Sequence, residues 1–496
     1  MKIYQKLLLT IISASLLALS FYGQGFLCWI SLVLYFTVIY FCGNIKQCLV
    51  FSFLFALIFY CGVTYWFTAY TFGLWIPIVG YLVIFSLVSA VAIYFIYKKV
   101  SWPFLRVVLI SFVWLAIEFF RHRTFMAFPW GVLGYSQYNY LPIMQTAKVT
   151  GIYGVSFLLI FANASLAEIA IGMRKVRKIN YKHLLAPLAL VIIVLISGFL
   201  SMYIYSQEDV DKNSVNIALV QPNITFDNKF QEDSRVLIPQ PYSNKSYFKS
   251  GTDLVVFPES VLWGSLDREK NKSFANWAKD VLKEENLHLL AGQILWDKQN
   301  NYYNSVLLYS PNLEILGRYN KIHPLPFAEY MPYPNILGFL KFLNIAKLNI
   351  TPDREFTLID YPNKGQIGSN ICFESTLPVI SRVFREKCAD IIFVLTDDAG
   401  FRNSIASWHH VIFSTVRAVE NSSYVVHSSN LGVSAVIDPI GRIILKTRLG
   451  TKGVFYSRVA FIGEKSIYSR IGNLFLYLYF TFSIIYLVYY LYSKKR

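Results

Sequence analysis

Carboxylates are almost missing from nearly half of this chain: outside the stretch Glu208 to Arg470, Glu118 and Glu168 are the only acidic side chains. Segments that poor in charge cannot form a water-facing surface. With 55% hydrophobic residues against 15% charged over 496 positions, a wholly soluble protein is excluded. No CxxC pair or compact Cys/His cluster occurs among the six cysteines, which excludes zinc-ribbon and thioredoxin-type motifs. Short-period repeats and low-complexity linkers are missing as well, so solenoid architectures do not apply. Cys28, Cys42, Cys48 and Cys61 in or beside apolar segments, and Cys388 in the polar region, each read as a small buried hydrophobe. Cys372 needs separate treatment.

What is abundant is positive charge, a net of +17 that has the sign of a nucleic-acid binder. Its distribution argues otherwise. Between Glu208 and Arg470, 29 Lys and Arg face 27 Asp and Glu, whereas the apolar parts hold 17 basic residues against two acids. The excess therefore belongs to membrane topology, and no nucleic-acid partner is expected.

Apolar runs near the length that crosses a hydrocarbon core, about 17 to 25 residues, lie at Leu7 to Tyr22, Phe26 to Cys42, Leu49 to Phe67, Leu74 to Tyr97, Phe104 to Phe120, Gly151 to Ile171, Leu184 to Tyr205 and Leu474 to Tyr492. About eight transmembrane helices are predicted. Lys2 and Lys6 ahead of the first run resemble a signal peptide, but the run has a poor cleavage site and continues into aromatics, so it reads as a retained helix. Lys46, then Lys98, Lys99 and Arg106, then Arg174 to Lys182, and finally Lys494 to Arg496 fall on the same side as Lys2; Arg121, Arg123 and Lys148 alone break the pattern. The basic side is cytoplasmic by the positive-inside rule. Both termini are thus expected in the cytoplasm, and the polar region in the periplasm, with domains at 1–206, 207–470 and 471–496.

The polar region reads as α/β. Buried-strand runs at Val215 to Val220, Leu254 to Phe257, Leu287 to Ala291, Ser305 to Tyr309, Gly368 to Cys372, Ile391 to Thr396, Tyr424 to Ser428 and Ser434 to Asp438 alternate with helical stretches such as Lys272 to Glu284 and Ser407 to Glu420.

Three polar residues follow apolar runs, where strand ends present functional groups: Glu259 in VVFPES, Lys321 in GRYNKIHPLPFAEYMP and Cys372 in GSNICFES. Alone, each has a plainer reading as a cap, a surface lysine or a core cysteine. Together they supply a complete acyl-transfer mechanism: a carboxylate to take the thiol proton, a cation to favour the thiolate and stabilise the oxyanion, and a thiol to carry the acyl group. Composition and spacing by themselves support a membrane-tethered enzyme with a candidate nucleophile.

The order and surroundings of these residues resemble the nitrilase (carbon-nitrogen hydrolase) superfamily, with its Glu-Lys-Cys triad on an αββα sandwich. With the membrane spans added, the chain resembles the apolipoprotein N-acyltransferase family, through FPWGVLGYSQ (Phe128 to Gln137), LVQPNI, FPES, YYNSVLLY, YNKIHPLPFAEYMP, ICFE, and RAVE followed by SSNLGVSAVIDPIG. The resemblance implies Glu259 as general base, Lys321 as stabiliser and Cys372 as nucleophile, with Glu329 orienting the lysine, Glu374 as a further acidic residue and Asn304 lining the site. It implies a bacterial inner-membrane enzyme that needs no cofactor or metal. The acyl donor would be a phospholipid, usually phosphatidylethanolamine, and the acceptor a diacylglyceryl lipoprotein. Three positions depart from the family pattern: Phe373 for a tyrosine, Phe230 for a tryptophan, and Gly400 for an aromatic. They bear on lipid packing and loop placement more than on proton chemistry.

The same triad would serve a membrane-anchored amidase, and the spans would serve a transporter, but eight spans exceed an anchor and paired broken helices are lacking. Asp397 and Asp398 beside His409 and His410 match no compact ligand motif, so no metal is assigned there. Glu118 and Glu168 are read as interfacial or locally paired. The apolar stretch Pro334 to Ile350, PNILGFLKFLNIAKLNI, is predicted to be a lid or interfacial helix.

Overall fold

The computed structural model describes residues 1–70, 72–176, 182–207, 213–224, 248–337 and 349–494. Phe230 and most of the Pro334 to Ile350 stretch, from 338 to 348, lie outside the described residues. The chain forms two compact units, Met1–Ser206 with Ile471–Arg496, and Gln207–Arg470.

Among the described residues of the first unit, seven helices are long and apolar enough to cross a membrane: Ile3–Tyr22, Ile45–Thr64, Trp75–Lys99, Pro103–Arg121, Ile152–Arg174, Leu185–Ser206 and Leu474–Ser493. The chain is a multi-pass membrane protein. The expected span from Phe26 to Cys42 is the departure, because it forms only the shorter apolar helix Gly25–Tyr40. It begins as a 3-10 turn, Gly25–Trp29, and restarts as α-helix at Ser31 after Ile30 leaves helical geometry at φ −127°. A helix start in apolar surroundings exposes N–H groups that cost on the order of several kcal/mol if unmet. Asn163 meets them: its Oδ1 accepts the N–H groups of Leu32 and Val33 at 2.9 and 3.1 Å, and its Nδ2 donates to the Cys28 carbonyl at 2.8 Å. Gln137, from the FPWGVLGYSQ segment, donates to the Gly25 carbonyl at 2.8 Å and accepts from Trp29 Nε1 at 3.0 Å. Hydropathy alone does not register such a break.

The two intramembrane carboxylates both find donors within the first unit. Glu168 pairs with both guanidinium arms of Arg106, with Nε donating at 2.8 Å. Glu118 accepts from Trp114 Nε1 at 3.1 Å and from the Leu133 N–H at 3.0 Å.

The second unit contains thirteen strands among its described residues: β1 (Ser214–Gln221), β2 (Leu254–Val256), β3 (Leu262–Trp263), β4 (His288–Trp296), β5 (Tyr302–Tyr309), β6 (Ile315–Asn320), β7 (Ile359–Tyr361), β8 (Gly365–Ile371), β9 (Ile391–Thr396), β10 (Val425–Ser429), β11 (Ala435–Ile437), β12 (Ile443–Lys446) and β13 (Gly453–Ala460). They form two sheets, β13-β1-β2-β4-β5-β6 with β3 on β4, and β12-β11-β10-β9-β8-β7. The strand triples β1-β2-β4 and β8-β9-β10 run parallel. Parallel strands covered on both faces read as continuous apolar runs, as in Ile391–Thr396, which is buried at every position. The strands not anticipated, β3, β6, β7, β12 and β13, are short or partly exposed, so their composition carries no such run.

Helix Lys272–Glu284 lays Phe274, Trp277, Ala278, Val281 and Leu282 on the first sheet at helical spacing, against Val255, Phe257 and Leu289. Helix Ala406–Asn421 covers the second sheet, where Val411 and Ala418 pack on Ile392, Val394 and Val425. Helices outside two sheets give the αββα sandwich of the nitrilase fold.

Candidate active site

The ends of β2, β6 and β8 deliver the three chemistry-bearing residues to one place. Beyond β2, Phe257 still donates to the Leu290 carbonyl of β4 at 2.8 Å, and Ser260 then turns the chain at φ +55°. Glu259 sits on that turn with 6% exposure. A Cβ built at Gly292 of β4 would lie 2.6 Å from the Glu259 Cα, so glycine is required for this close approach. Lys321 follows β6 and is 1% exposed, its N–H donating to the Asn304 carbonyl at 2.8 Å. Cys372 follows β8, opens the 3-10 turn Cys372–Thr376 at φ +52°, and is partly exposed.

A left-handed non-glycine residue costs about 1 to 3 kcal/mol and persists where its surroundings over-determine it. Glu374, fully buried, supplies much of that constraint. Its Oε2 accepts the Ile371 N–H at 2.7 Å, while Oε1 accepts the N–H groups of Ile322 and His323 at 2.8 and 3.0 Å and the Tyr319 hydroxyl at 2.8 Å. One carboxylate thus ties the Cys372 elbow to the segment that carries Lys321. Burial pushes Glu374 up to about 7 against the opposing pull of Lys321 and these donors.

Lys321 Nζ donates to Glu329 at 2.9 Å (Oε1) and 2.7 Å (Oε2), and lies 3.8 Å from Glu259 Oε1. Asn304 Nδ2 bridges the two carboxylates, at 2.7 Å from Glu259 and 3.3 Å from Glu329, and the Asp397 N–H donates to Glu259 Oε2 at 2.9 Å. Burial alone would strip the lysine of its proton, but Glu329, then Glu259, raise it above the ordinary lysine value, so the ammonium is retained. For Cys372, Lys321 favours the thiolate as expected but does not set the balance. Burial first, and the Glu259 charge second, push the thiol well above its ordinary value, and the pull of Lys321 is outweighed. The resting residue is a thiol beside a carboxylate able to take its proton.

All six sequence-derived site residues, Glu259, Asn304, Lys321, Glu329, Cys372 and Glu374, fall in this one network. Phe373 is buried and stacks on His323 with ring centroids 6.0 Å apart. Gly400 lies in the turn Ala399–Phe401, and Phe401 packs edge-on to His410 at 6.1 Å. Cys388 corrects its expected burial: it is exposed, and Lys465 Nζ donates to its Sγ at 3.2 Å, because it stands at φ +75° just after helix Pro378–Glu386.

Sequence reasoning missed Asp398 and His410 as neighbours of Cys372, since nothing in their spacing reveals which strand end they meet. Asp398, His410 and His427 bring their ligand-type atoms within 4.8 Å of one another. The set does not fit a resident cation. His410 Nδ1 and Asp398 Oδ1 already share a hydrogen bond at 2.8 Å, and His410 Nε2 is committed to the Cys372 carbonyl at 3.1 Å.

An αββα sandwich with a Glu-Lys-Cys cluster at its strand ends, in one chain with membrane-spanning helices, defines a membrane-bound protein of the carbon-nitrogen hydrolase class. Residues 216–462 match the carbon-nitrogen hydrolase family, and residues 13–165 match the apolipoprotein N-acyltransferase N-terminal domain. The chain is 30% identical to the apolipoprotein N-acyltransferase of Geobacter metallireducens over 94% of its own length and 92% of the relative's. It is 27% identical to apolipoprotein N-acyltransferase 1 of Treponema denticola over 95% and 93%, and 28% identical to the Haemophilus influenzae enzyme over 86% and 83%. The solved structure of Saccharomyces cerevisiae Nit3, a member of branch 10 of the nitrilase superfamily, aligns with a TM-score of 0.38 and 17% identity, covering 50% of this chain and 90% of that one. The chain belongs to the apolipoprotein N-acyltransferase family.

Proposed function

We propose that this protein transfers a fatty acyl chain from a glycerophospholipid, through a thioester on Cys372, to the free α-amine of a diacylglyceryl-cysteine at the N-terminus of a lipoprotein. The observation that carries the reading is the meeting of Glu259, Lys321 and Cys372 in one buried network, in a chain with seven membrane-length helices among its described residues. Glu259 takes the Sγ proton, and the thiolate attacks the ester carbonyl of the lipid. The oxyanion is held by Lys321 Nζ and by the Phe373 N–H, which stands at the open N-terminal end of the 3-10 turn. Collapse breaks the ester C–O bond, and the departing lysophospholipid oxygen takes the proton from Glu259.

In the second half, the α-amine, with a pKa of about 7.7 to 8.0 in its free form, attacks the thioester and passes a proton to Glu259. The amide forms, the C–S bond breaks, and Cys372 regains its proton. Glu329 holds Lys321, Asn304 bridges the two carboxylates, and Glu374 positions the elbow. The positive-inside pattern supports a periplasmic catalytic unit in a bacterial inner membrane, where the lipoprotein amine is presented.

Intact-protein mass spectrometry after incubation with phosphatidylethanolamine tests the reading. A gain of one acyl mass, absent in Cys372→Ala and discharged by a diacylated lipopeptide with a free amine, is expected. Unmodified wild-type protein under turnover conditions would refute the covalent route.

A further inference from the structure

The Cys372 elbow is gripped from behind by a buried pair that the acyl-transfer steps do not use. Its carbonyl accepts from His410 Nε2 at 3.1 Å and from the Ser375 hydroxyl at 2.9 Å, and Ser375 Oγ lies 2.8 Å from the same imidazole nitrogen. The other ring nitrogen of His410 meets Asp398 Oδ1 at 2.8 Å. Asp398 stands at φ +53°, where Thr396 Oγ1 donates to it at 2.7 Å, and a Cβ at Gly432 would lie 2.4 Å from its Oδ2. The pair is 1% exposed at His410 and 5% at Asp398.

With the single Ser375 hydroxyl hydrogen given to the Cys372 carbonyl, the protons of His410 follow from its other partners. A carbonyl oxygen cannot donate, so Nε2 must carry hydrogen to bond Cys372, and an ionised carboxylate cannot donate, so Nδ1 must carry hydrogen to bond Asp398. His410 is therefore an imidazolium paired to Asp398. The groups around it agree. Although burial opposes the charge on His410, Asp398, the Cys372 carbonyl and Glu259 raise it above the ordinary histidine value. His427, which packs edge-on at 4.9 Å from β10, is pushed down to about 3 by burial and by His410, so it stays neutral.

We propose that Asp398 and His410 are a positioning pair for acyl transfer, holding the Cys372–Phe373 peptide so that the thiol is aimed at the acyl carbon and the Phe373 N–H at the oxygen that becomes the oxyanion. The physical step is short. A trans peptide directs its C=O and N–H to opposite sides, so a cationic donor clamped on the Cys372 oxygen sets the direction in which Phe373 N–H points. The bond is charge-assisted and buried, which makes it a stiff constraint on an elbow in an unfavourable backbone conformation.

The inference rests on Cys372 being the acylated residue, and the test separates the two. Full-length enzyme in mixed detergent and phospholipid micelles is followed in single turnover for thioester on Cys372, as wild type, His410→Leu, His410→Gln and Asp398→Asn. His410→Leu is expected to slow acylation about 10²-fold at saturating lipid, the size of effect an ångström-scale misplacement produces, with KM unchanged. His410→Gln, whose amide still donates to the carbonyl, should recover most of that rate. Asp398→Asn should lower acylation, and lower it further as pH rises, because His410 then lacks the carboxylate that holds its charge against burial, where wild type stays level. Wild-type rate in His410→Leu, an effect on KM alone, or a Gln variant no better than Leu would overturn the pair's role. Should His410→Leu fail to fold, the Gln and Asn variants decide through the same rates and pH profile. Absence of any wild-type adduct would instead strike the acyl-transfer reading itself.

Discussion

Replacing Glu259 by Gln should separate two properties of Cys372 that usually move together. In the native site, the Glu259 charge stands 3.8 Å from Lys321, an attraction of about 4 kcal/mol at an effective dielectric of ~20. The closer Glu329 oxygen, at 2.7 Å, contributes about 6 kcal/mol on the same scale, so Lys321 stays charged without Glu259. The amide of the variant also finds a partner, because Asn304 Oδ1 is buried without one and the Asn304 amide can turn to present it. Two consequences follow from a site that keeps its shape and its lysine. Acyl transfer loses its base and should fall about 10²- to 10⁴-fold in both half-reactions. The thiol, however, loses the second largest influence holding its pKa up, so the thiolate fraction rises. Alkylation of Cys372 by iodoacetamide, read by peptide mass spectrometry at pH 7, should therefore be faster in Glu259→Gln than in wild type. Alkylation that falls together with turnover would refute this reasoning, and so would a pre-acylated variant that discharges to a lipopeptide amine at the wild-type rate.

In wild type the alkylation rate should keep climbing through pH 9, the ordinary thiol value to which Cys372 does not descend; a plateau near pH 7 would mean a resting thiolate. Lys321→Met should cut thioester formation about 10²- to 10³-fold, as for a lost oxyanion donor, and retained rate with lost folding would make the lysine structural. Cys372→Ser should form no thioester, whereas Cys388→Ser, on the exposed surface beside Lys465, should leave activity near wild type; a Cys372 to Cys388 disulfide in active enzyme would contradict both assignments. Glu374→Ala strands four buried or half-buried donors and should cost about 3 kcal/mol or more. An unchanged Tm in micelles would show that Glu374 does not hold the elbow.

Where a residue's environment is set by its own neighbours in sequence, the sequence alone determined the outcome. Charge-poor apolar runs announced the membrane helices because lipid leaves no other solution for them. The parallel strands were legible because strands buried on both faces must be apolar throughout, and the helix Lys272–Glu284 because its apolar face repeats every three or four residues. The site residues were visible as polar interruptions at the ends of such runs, and a resemblance in their flanking motifs supplied their candidate roles. What the tertiary structure decided is everything that depends on residues far apart in the chain. The break at Ile30 is held by Asn163 and Gln137, each more than a hundred residues away, with Asn163 capping the restarted helix. The half-exposed strand β13 exists because β1 pairs with it along all of Ser214 to Gln221. The balance of charges that keeps Cys372 a thiol, and the meeting of Asp398 and His410 behind it, arise from several strand ends converging in one buried place, where low dielectric makes each neighbour count.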